Sequence, residues 1–242
     1  MELLSNRFIL DTTGDVFPLS TDSMVLGHFT RLPRQARVLD LGSGCGTLGL
    51  LLCAKDSSCH VTGLELTESG HAAATENIRR NCLQDRMESI CADLRITNPG
   101  IGRFDVCVSN PPYFSGGPAS QTTPLARRED CCTPEELFAA AARALKFGGD
   151  FFLVHKPERL AQLIACGAKE HLEAKRLLLV RHRLGSEIAL ILLQFRKGGK
   201  PGLVMEEEAL FDEENKPTDF HQAVYHSNSL ENCHADELTG PQ

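Results

Sequence analysis

Residues 38–46 have the sequence VLDLGSGCG, an apolar run followed by a turn that contains three glycines. The run from Arg37 to Leu41 has the composition of a buried strand, and the apolar residues from Leu48 to Ala54 begin a helix. Glycines in such a turn let a ligand approach the backbone closely, and the N-terminus of the next helix faces that ligand. The stretch therefore predicts a strand, a turn and a helix, with a ligand site at the turn.

Strands and helices continue to alternate on both sides of this unit. A helix at 22–31 is opened by the capping sequence STD at 20–22. Further strands are predicted at 60–64, 87–91, 105–109 and 151–154, and further helices at 69–81, 134–145 and 158–170. Units at this spacing predict an α/β fold with a doubly wound, mostly parallel sheet. Two final apolar runs, 176–182 and 187–195, predict a C-terminal antiparallel hairpin that closes the sheet.

Composition limits the class of protein. The 242 residues, 42% of them apolar, are enough for one well-buried main domain. No apolar stretch has membrane-spanning length, and the N-terminus lacks the order of a signal peptide, so we expect a cytoplasmic protein. The ten cysteines include one adjacent pair, Cys131 and Cys132, and no CxxC pattern. We therefore expect reduced thiols and no metal site.

Charge is distributed unevenly along the chain. The net charge is −7, and residues 201–242 alone carry ten acidic residues and one basic residue. Residues 127–200 carry 14 basic and nine acidic residues, an excess that is compatible with a nucleic-acid partner but also with an ordinary solvated surface. From Gly198 onward the sequence no longer shows the periodic pattern of apolar residues that is typical of helices and strands. We therefore expect the acidic segment to cross the surface to about His226 and to be disordered beyond it.

The form of the glycine-rich turn narrows the choice of ligand. A dinucleotide fingerprint, GxGxxG, needs glycine at position 47, where this chain has Thr47, and the lysine of a phosphate-binding loop is absent. DLGSGCG at 40–46 is instead typical of S-adenosylmethionine binding. In that interpretation Asp40 lies near the methionyl amino group, and Gly42 and Gly44 form the turn.

Two acidic residues follow the next two predicted strands. Glu65 lies about 20 residues beyond the turn, where a carboxylate can accept hydrogen bonds from both ribose hydroxyls. A surface or helix-capping charge is the alternative. Asp93, after the third strand, can accept a hydrogen bond from an adenine amino group, or it is an ordinary turn aspartate.

A second motif, SNPPYF at 109–114, follows another predicted strand and indicates the acceptor. The amide oxygen of Asn110 and the carbonyl of Pro111 can accept both hydrogens of an amino group on a planar substrate, while Tyr113 stacks on the ring. No strong base is needed, because the proton becomes acidic only after positive charge has built up on the nitrogen. A proline-rich turn without a catalytic role is the alternative.

In this order and spacing, these motifs resemble those of class I methyltransferases that modify amino groups. FPLSTD at 17–22, ARRE at 126–129, VHKPERL at 154–160 and KGGKPGL at 197–203 are similar to the tRNA1(Val) adenine-N6-methyltransferase family. The resemblance covers about residues 8–225. It implies a Rossmann-like class I methyltransferase fold, S-adenosylmethionine as the cofactor, and methylation of N6 of the adenine next to the anticodon, position 37, of tRNA1(Val).

The resemblance also implies roles for individual residues. Asn110 and Pro111 orient the adenine amino group, and Tyr113 stacks on the flipped base. The implied cofactor-binding residues are Thr21, Asp40, Gly42, Gly44, Glu65, Asp93 and Asn110, and the implied substrate-binding residues are Tyr113, Phe114, Arg127 and Arg128. Arg128 departs from the family pattern, which has histidine there, although arginine can hold a phosphate at least as well.

The predicted organisation is an N-terminal helical cap at 1–35, a methyltransferase domain at 36–200 and an acidic, partly disordered extension at 201–242.

Two other acceptors fit the same motif at 109–114, the glutamine amide of a release factor and the exocyclic amine of a ribosomal guanine. The enzymes that methylate glutamine usually carry a separate N-terminal helical domain. The roughly 36 residues before the first core strand leave little space for one. A non-catalytic nucleotide-binding module is the alternative from another class. The sequence does not indicate the oligomeric state.

Overall fold

The structure is a computed structural model, and it describes residues 2–3, 8–12, 19–96, 102–111 and 132–226. The strands in these ranges are β1 (Glu2–Leu3), β2 (Ile9–Leu10), β3 (Arg37–Leu41), β4 (His60–Glu65), β5 (Met87–Cys91), β6 (Phe104–Ser109), β7 (Leu145–His155), β8 (Leu172–Arg183), β9 (Ile188–Lys197) and β10 (Val204–Phe211). The helices are α1 (Thr21–Phe29), α2 (Thr47–Lys55), α3 (Glu68–Arg80), α4 (Pro134–Ala144), α5 (Leu160–Lys169) and α6 (Asp219–His226), with a 3-10 turn at Pro157–Arg159.

Eight of the strands form one sheet, in the order β10-β8-β9-β7-β6-β3-β4-β5. All neighbouring pairs are parallel except those of β9 with β7 and with β8. The predicted doubly wound sheet with a C-terminal antiparallel hairpin is therefore confirmed. Because β3, β4, β5 and β6 are parallel, their carboxyl ends meet at one edge of the sheet, which we call the carboxyl edge.

Alternate residues of the central strands face two separate cores. Val106 and Val108 belong to a core shared with α1, α2 and α3. Cys107, between them, belongs to the core on the other face, which α4 and α5 cover. The same alternation places Phe152 in the first core and Phe151 in the second. Both faces of the sheet are thus buried, as the nearly continuous apolar strands require.

Helix α1 is held at both ends. Its N-cap residue is Ser20, whose side-chain oxygen accepts a hydrogen bond from the backbone N–H of Ser23. At its C-terminus the ammonium group of Lys55, on α2, donates to the carbonyl oxygens of Gly27, His28 and Thr30 at 3.1, 2.6 and 2.6 Å. These carbonyls have no partner within the helix, so the lysine satisfies them and fixes α1 against α2.

The acidic extension differs from the prediction. It does not simply cross the surface, because β10 pairs in parallel with β8 along most of its length. The charges explain the pairing: Arg176 and Arg181 of β8 form ion pairs with Glu206 and Glu207 of β10, at 2.8 and 2.6 Å. The run of acidic residues is therefore matched to a basic neighbouring strand. The predicted disorder beyond His226 lies outside the described residues.

Candidate active site

The glycine-rich turn lies at the carboxyl edge, between β3 and α2. The backbone N–H groups of Gly42 and Ser43 both donate to the carbonyl oxygen of Leu64, at 2.9 Å each. Gly42 and Gly44 have φ angles of +74° and +54°, which favour glycine. Apart from the two chain neighbours of each glycine, no described residue has an atom within 4 Å of the position that a Cβ would take on Gly42 or Gly44. The turn therefore presents its backbone to open space, as a ligand-binding turn must.

A buried carboxyl group lies directly before this turn. Asp40 is 1% exposed, and neither of its carboxylate oxygens makes a close, well-directed hydrogen bond among the described residues. The backbone N–H of Gly49, in the first turn of α2, is the one hydrogen-bond donor there that favours its charged form. Burial, and to a smaller extent the negative charge of Glu65, raise the pKa of Asp40 to about 7. The hydroxyl group of Ser43 is also buried and lacks a partner in the same ranges. Buried polar groups without partners are costly, so this pair is best explained by a ligand with hydrogen-bond donors or positive charge.

Glu65 ends β4 and lies against the turn. One of its carboxylate oxygens accepts a hydrogen bond from the backbone N–H of Gly44 at 2.9 Å. The other accepts from the backbone N–H and the hydroxyl group of Thr67, at 2.8 and 2.7 Å. The carboxylate thus joins the turn to the start of α3. An ionised carboxylate can accept about four hydrogen bonds, so this group retains capacity for a ligand hydroxyl.

Asp93 is near this group but already paired. The backbone N–H of Ala92 donates to the carbonyl oxygen of Glu65 at 2.8 Å, which places the segment after β5 beside the end of β4. The guanidinium of Arg95 donates to both carboxylate oxygens of Asp93, from Nε to Oδ1 at 2.9 Å and from Nη2 to Oδ2 at 2.6 Å. These hydrogen bonds hold the pKa of the Asp93 carboxyl below its usual value. Asp93 is at the predicted place, but Arg95 competes for any hydrogen bond to a ligand.

The acceptor motif begins at the same edge. The hydroxyl group of Ser109, the last residue of β6, donates to the carbonyl oxygen of Leu41 at 2.7 Å and is fully buried. This contact fixes the following residue, Asn110, next to the glycine-rich turn. The side-chain nitrogen of Asn110 donates to the hydroxyl oxygen of Ser23, on α1, at 3.0 Å. Pro111 is buried beside it.

Thr21 lies at the start of α1, and its hydroxyl oxygen accepts a hydrogen bond from the Tyr225 hydroxyl at 3.1 Å. Tyr225 belongs to α6, so the acidic extension contacts the helix that carries a predicted cofactor-binding residue. Sequence reasoning missed both Ser23 and Tyr225 as neighbours of the site. The predicted substrate-binding residues Tyr113, Phe114, Arg127 and Arg128 lie outside the described residues.

A different cavity lies at the opposite edge of the sheet. This groove has a volume of about 780 Å³ and is lined by residues at the amino ends of strands, among them Arg37, His60 and Met87. It contains none of the predicted site residues. Within the described ranges no cluster of histidine, cysteine and acidic residues could hold a metal ion, and no helix has the length and apolar character needed to span a membrane.

Comparison with known proteins gives consistent results. Residues 20–164 match the family model of the methyltransferase small domain. A tRNA1(Val) (adenine(37)-N6)-methyltransferase of Bacteroides thetaiotaomicron is 34% identical, over 78% of this chain and 80% of the relative. The protein of the same name from Tolumonas auensis is 31% identical, over 84% of this chain and 85% of the relative.

Solved structures share the fold. A predicted O-methyltransferase from Agrobacterium tumefaciens superposes with a TM-score of 0.73 at 20% identity, over 86% of this chain and 97% of its own. A geranyl diphosphate C-methyltransferase from Streptomyces coelicolor, solved with S-adenosyl-L-homocysteine, has a TM-score of 0.52 at 13% identity, over 72% and 76% of the two chains. At these identities the likeness establishes the class I methyltransferase fold and no more.

Proposed function

This chain belongs to the methyltransferase small domain family and, within it, to the tRNA1(Val) adenine-N6-methyltransferases, and we propose that it methylates N6 of adenine 37 in tRNA1(Val). It is an S-adenosylmethionine-dependent tRNA methyltransferase. The finer assignment of the tRNA and the nucleotide is supported by the names of relatives that match about four fifths of the chain.

The residues at the carboxyl edge fit S-adenosylmethionine. Its methionyl end carries an ammonium group, and the buried carboxyl of Asp40 makes no close hydrogen bond to a side chain in the described ranges. Gly42 and Gly44 leave the space beside the turn open, and Glu65, which already accepts three hydrogen bonds, has about one lone pair left, on the oxygen that faces Gly44, for a ribose hydroxyl. When bound, the cofactor supplies an electrophilic methyl group. Thr21 and Asp93 complete the proposed pocket. Asp93 would accept a hydrogen bond from the amino group of the cofactor's adenine while its carboxylate also stays paired with Arg95.

One observation carries the proposed mechanism: Asn110 and Pro111 lie beside the glycine-rich turn, fixed there by the hydrogen bond from Ser109 to Leu41. At this position the amide oxygen of Asn110 and the carbonyl of Pro111 accept the two hydrogens of the adenine amino group. The nitrogen lone pair is then held toward the methyl group. With the cofactor bound, the nitrogen would bond to the methyl carbon as the bond from that carbon to the sulfonium sulfur breaks and leaves a neutral thioether. The alkylated nitrogen would then release one proton to water, because it is acidic.

We further propose that Tyr113 and Phe114 stack on the flipped adenine and that Arg127 and Arg128 contact phosphates of the tRNA. Aromatic stacking suits a base that has left its helix, and arginine suits the sugar-phosphate backbone on either side of it. Both assignments rest on the resemblance of the motifs at 109–114 and 126–129.

The test is mass spectrometry of nucleosides from unmodified total tRNA incubated with the protein and S-adenosylmethionine. We expect new N6-methyladenosine, recovered at position 37 of isolated tRNA1(Val). Asn110→Ala is the matched control, for which we expect no turnover and nearly unchanged cofactor binding by calorimetry. Methylation of a release factor or of ribosomal RNA instead of tRNA would overturn the proposed substrate, and normal turnover of Asn110→Ala would overturn the role of the amide.

A further inference from the structure

The hydrogen bond between Ser23 and Asn110 joins the acceptor motif to a helix 87 residues away in sequence. The side-chain nitrogen of Asn110 donates to Ser23 Oγ at 3.0 Å. Ser23 is 7% exposed, so water does not compete strongly for its hydroxyl group. The hydroxyl group of Ser20, the N-cap residue of α1, lies 3.3 Å from the same oxygen and donates to it.

In the structure this contact engages the nitrogen end of the Asn110 amide and leaves the oxygen end free. The two ends of an amide are nearly equal in shape, but the oxygen accepts hydrogen bonds and the nitrogen donates them. An adenine amino group offers two N–H donors, so only the oxygen end can receive it. If the amide were reversed, donors would face donors and the alignment of the nitrogen would be lost. Because Ser23 takes the nitrogen end, the oxygen end is directed away from α1 and left for the substrate.

Ser23 can perform this task because α1 cannot shift easily. Lys55 satisfies three carbonyls at the C-terminus of the helix, and Tyr225 hydrogen-bonds to Thr21 at its start. The side chains of His28 and Phe220 add an edge-to-face contact, with ring centroids 5.8 Å apart. The helix is thus anchored to α2 on one side and to α6 on the other. The Ser23 oxygen is a fixed point against which the amide is oriented.

We propose that Ser23 is a positioning residue for methyl transfer, whose hydroxyl oxygen holds the nitrogen end of the Asn110 amide and so directs the amide oxygen to the acceptor amino group. The proposal rests on the proposed function, since it needs Asn110 to accept from the substrate. The proposed role goes beyond those assigned from the glycine-rich turn and from the motif at 109–114, because Ser23 lies on α1, outside both motifs.

The first test compares Ser23→Ala with Ser23→Thr in single-turnover and steady-state methylation of tRNA. Loss of one neutral hydrogen bond that orients the reacting group should lower kcat by about three- to tenfold. KM for tRNA and Kd for S-adenosylmethionine should stay unchanged, and Ser23→Thr, which retains the hydroxyl, should recover most of the rate. Thr30→Val is the matched control. It removes the buried hydroxyl at the other end of α1, which donates to Leu26 at 2.7 Å, and should lower the melting temperature without changing kcat.

The second test repeats Ser23→Ala in an Asn110→Asp background. A carboxylate has two equivalent oxygens, so its orientation no longer matters, and removing Ser23 should then change the rate by less than about twofold. An equal loss of rate in both backgrounds would show that Ser23 only supports the fold and would overturn the proposal. A native kcat in Ser23→Ala would also overturn it and leave the proposed function intact. Absence of tRNA methylation by the unaltered protein would instead refute the proposed function itself.

Discussion

Replacing the buried Asp40 by asparagine should change how the stability of the ligand-free protein depends on pH. The pKa of the Asp40 carboxyl is raised from 3.8 to about 7, so its ionisation costs about 4 kcal/mol more in the folded protein than in the unfolded chain. Between pH 4 and pH 7 the unfolded chain has lost this proton and the folded protein has kept it. The folded protein binds more protons, so the free energy of unfolding falls as pH rises and levels off above 7.

Asp40→Asn has no carboxyl group at this position and therefore lacks the pH-dependent part of the free energy of unfolding that the carboxyl causes. Its buried amide has a cost of its own, but that cost does not depend on pH. The free energy of unfolding of the variant, relative to the unaltered protein, should therefore increase by up to about 4 kcal/mol from pH 4 to pH 8. Urea denaturation followed by circular dichroism measures both proteins at each pH, and groups that titrate equally in the two cancel. A constant difference across this range would refute the assignment of a raised pKa to the buried carboxyl.

The same group should couple cofactor binding to pH. A ligand ammonium beside Asp40 favours the ionised carboxylate, so binding should release a proton below pH 7 and become tighter as pH rises to about 7. Calorimetry in two buffers of different ionisation enthalpy counts that proton. We expect release by the unaltered protein at pH 6.5 and no corresponding release by Asp40→Asn. Equal proton release by the two proteins would mean that the positive end of the cofactor does not contact Asp40.

Two further variants test the supports of the site. Glu65→Ala should weaken S-adenosylmethionine binding by about 1–3 kcal/mol, or five- to 150-fold in Kd by calorimetry, because hydrogen bonds from ribose are lost; unchanged Kd would limit Glu65 to bridging Gly44 and Thr67. Lys55→Met should lower the free energy of unfolding in urea by about 1–2 kcal/mol, because three carbonyls of α1 lose a charged donor that is partly exposed to solvent. Equal stability would mean that water replaces the ammonium group there.

The sequence predicts the central sheet well because each strand there is a local signal. β3 and β5 begin and end where predicted. β3 is mainly apolar, and in β5 the apolar residues Met87 and Ile90 are bounded by turn residues. The helix predicted at 134–145 ends at Ala144, and the sequence KFGG at 146–149, which is typical of a helix terminus, lies within β7. Glycines inside a strand resemble a helix terminator. Here they accompany a shift in register between β6 and β7.

β10 escaped prediction for a different reason. Three consecutive glutamates, 206–208, normally indicate a solvated surface. Their partners Arg176 and Arg181 lie about 30 residues earlier in the chain, and only the parallel pairing of β8 and β10 brings the opposite charges together. No pattern within the segment itself contains that information.

In the candidate site, too, features with a local signal in the sequence could be predicted and long-range contacts could not. The positions of Asp40, the glycine-rich turn and Glu65 at the ends of strands could be predicted because each follows a local strand signal, and their roles in cofactor binding stay predictions. Asp93 follows β5, as the strand pattern predicted, but the sequence could not indicate that Arg95 pairs with it. The contact of Ser23 with Asn110 has no local signature at all, because neither residue determines the path that brings the other to it.

The contacts that support Asn110 cross both predicted domain boundaries, at 35 and at 200. Ser23 comes from the predicted N-terminal cap, Asn110 from the predicted methyltransferase domain and Tyr225 from the acidic extension. Tyr225 holds the start of α1, α1 carries Ser23, and Ser23 orients the amide that the proposed mechanism uses. The acidic extension therefore helps to orient the amide oxygen of Asn110 at the carboxyl edge. It does so through α1, a helix that the sequence analysis assigned to the N-terminal cap.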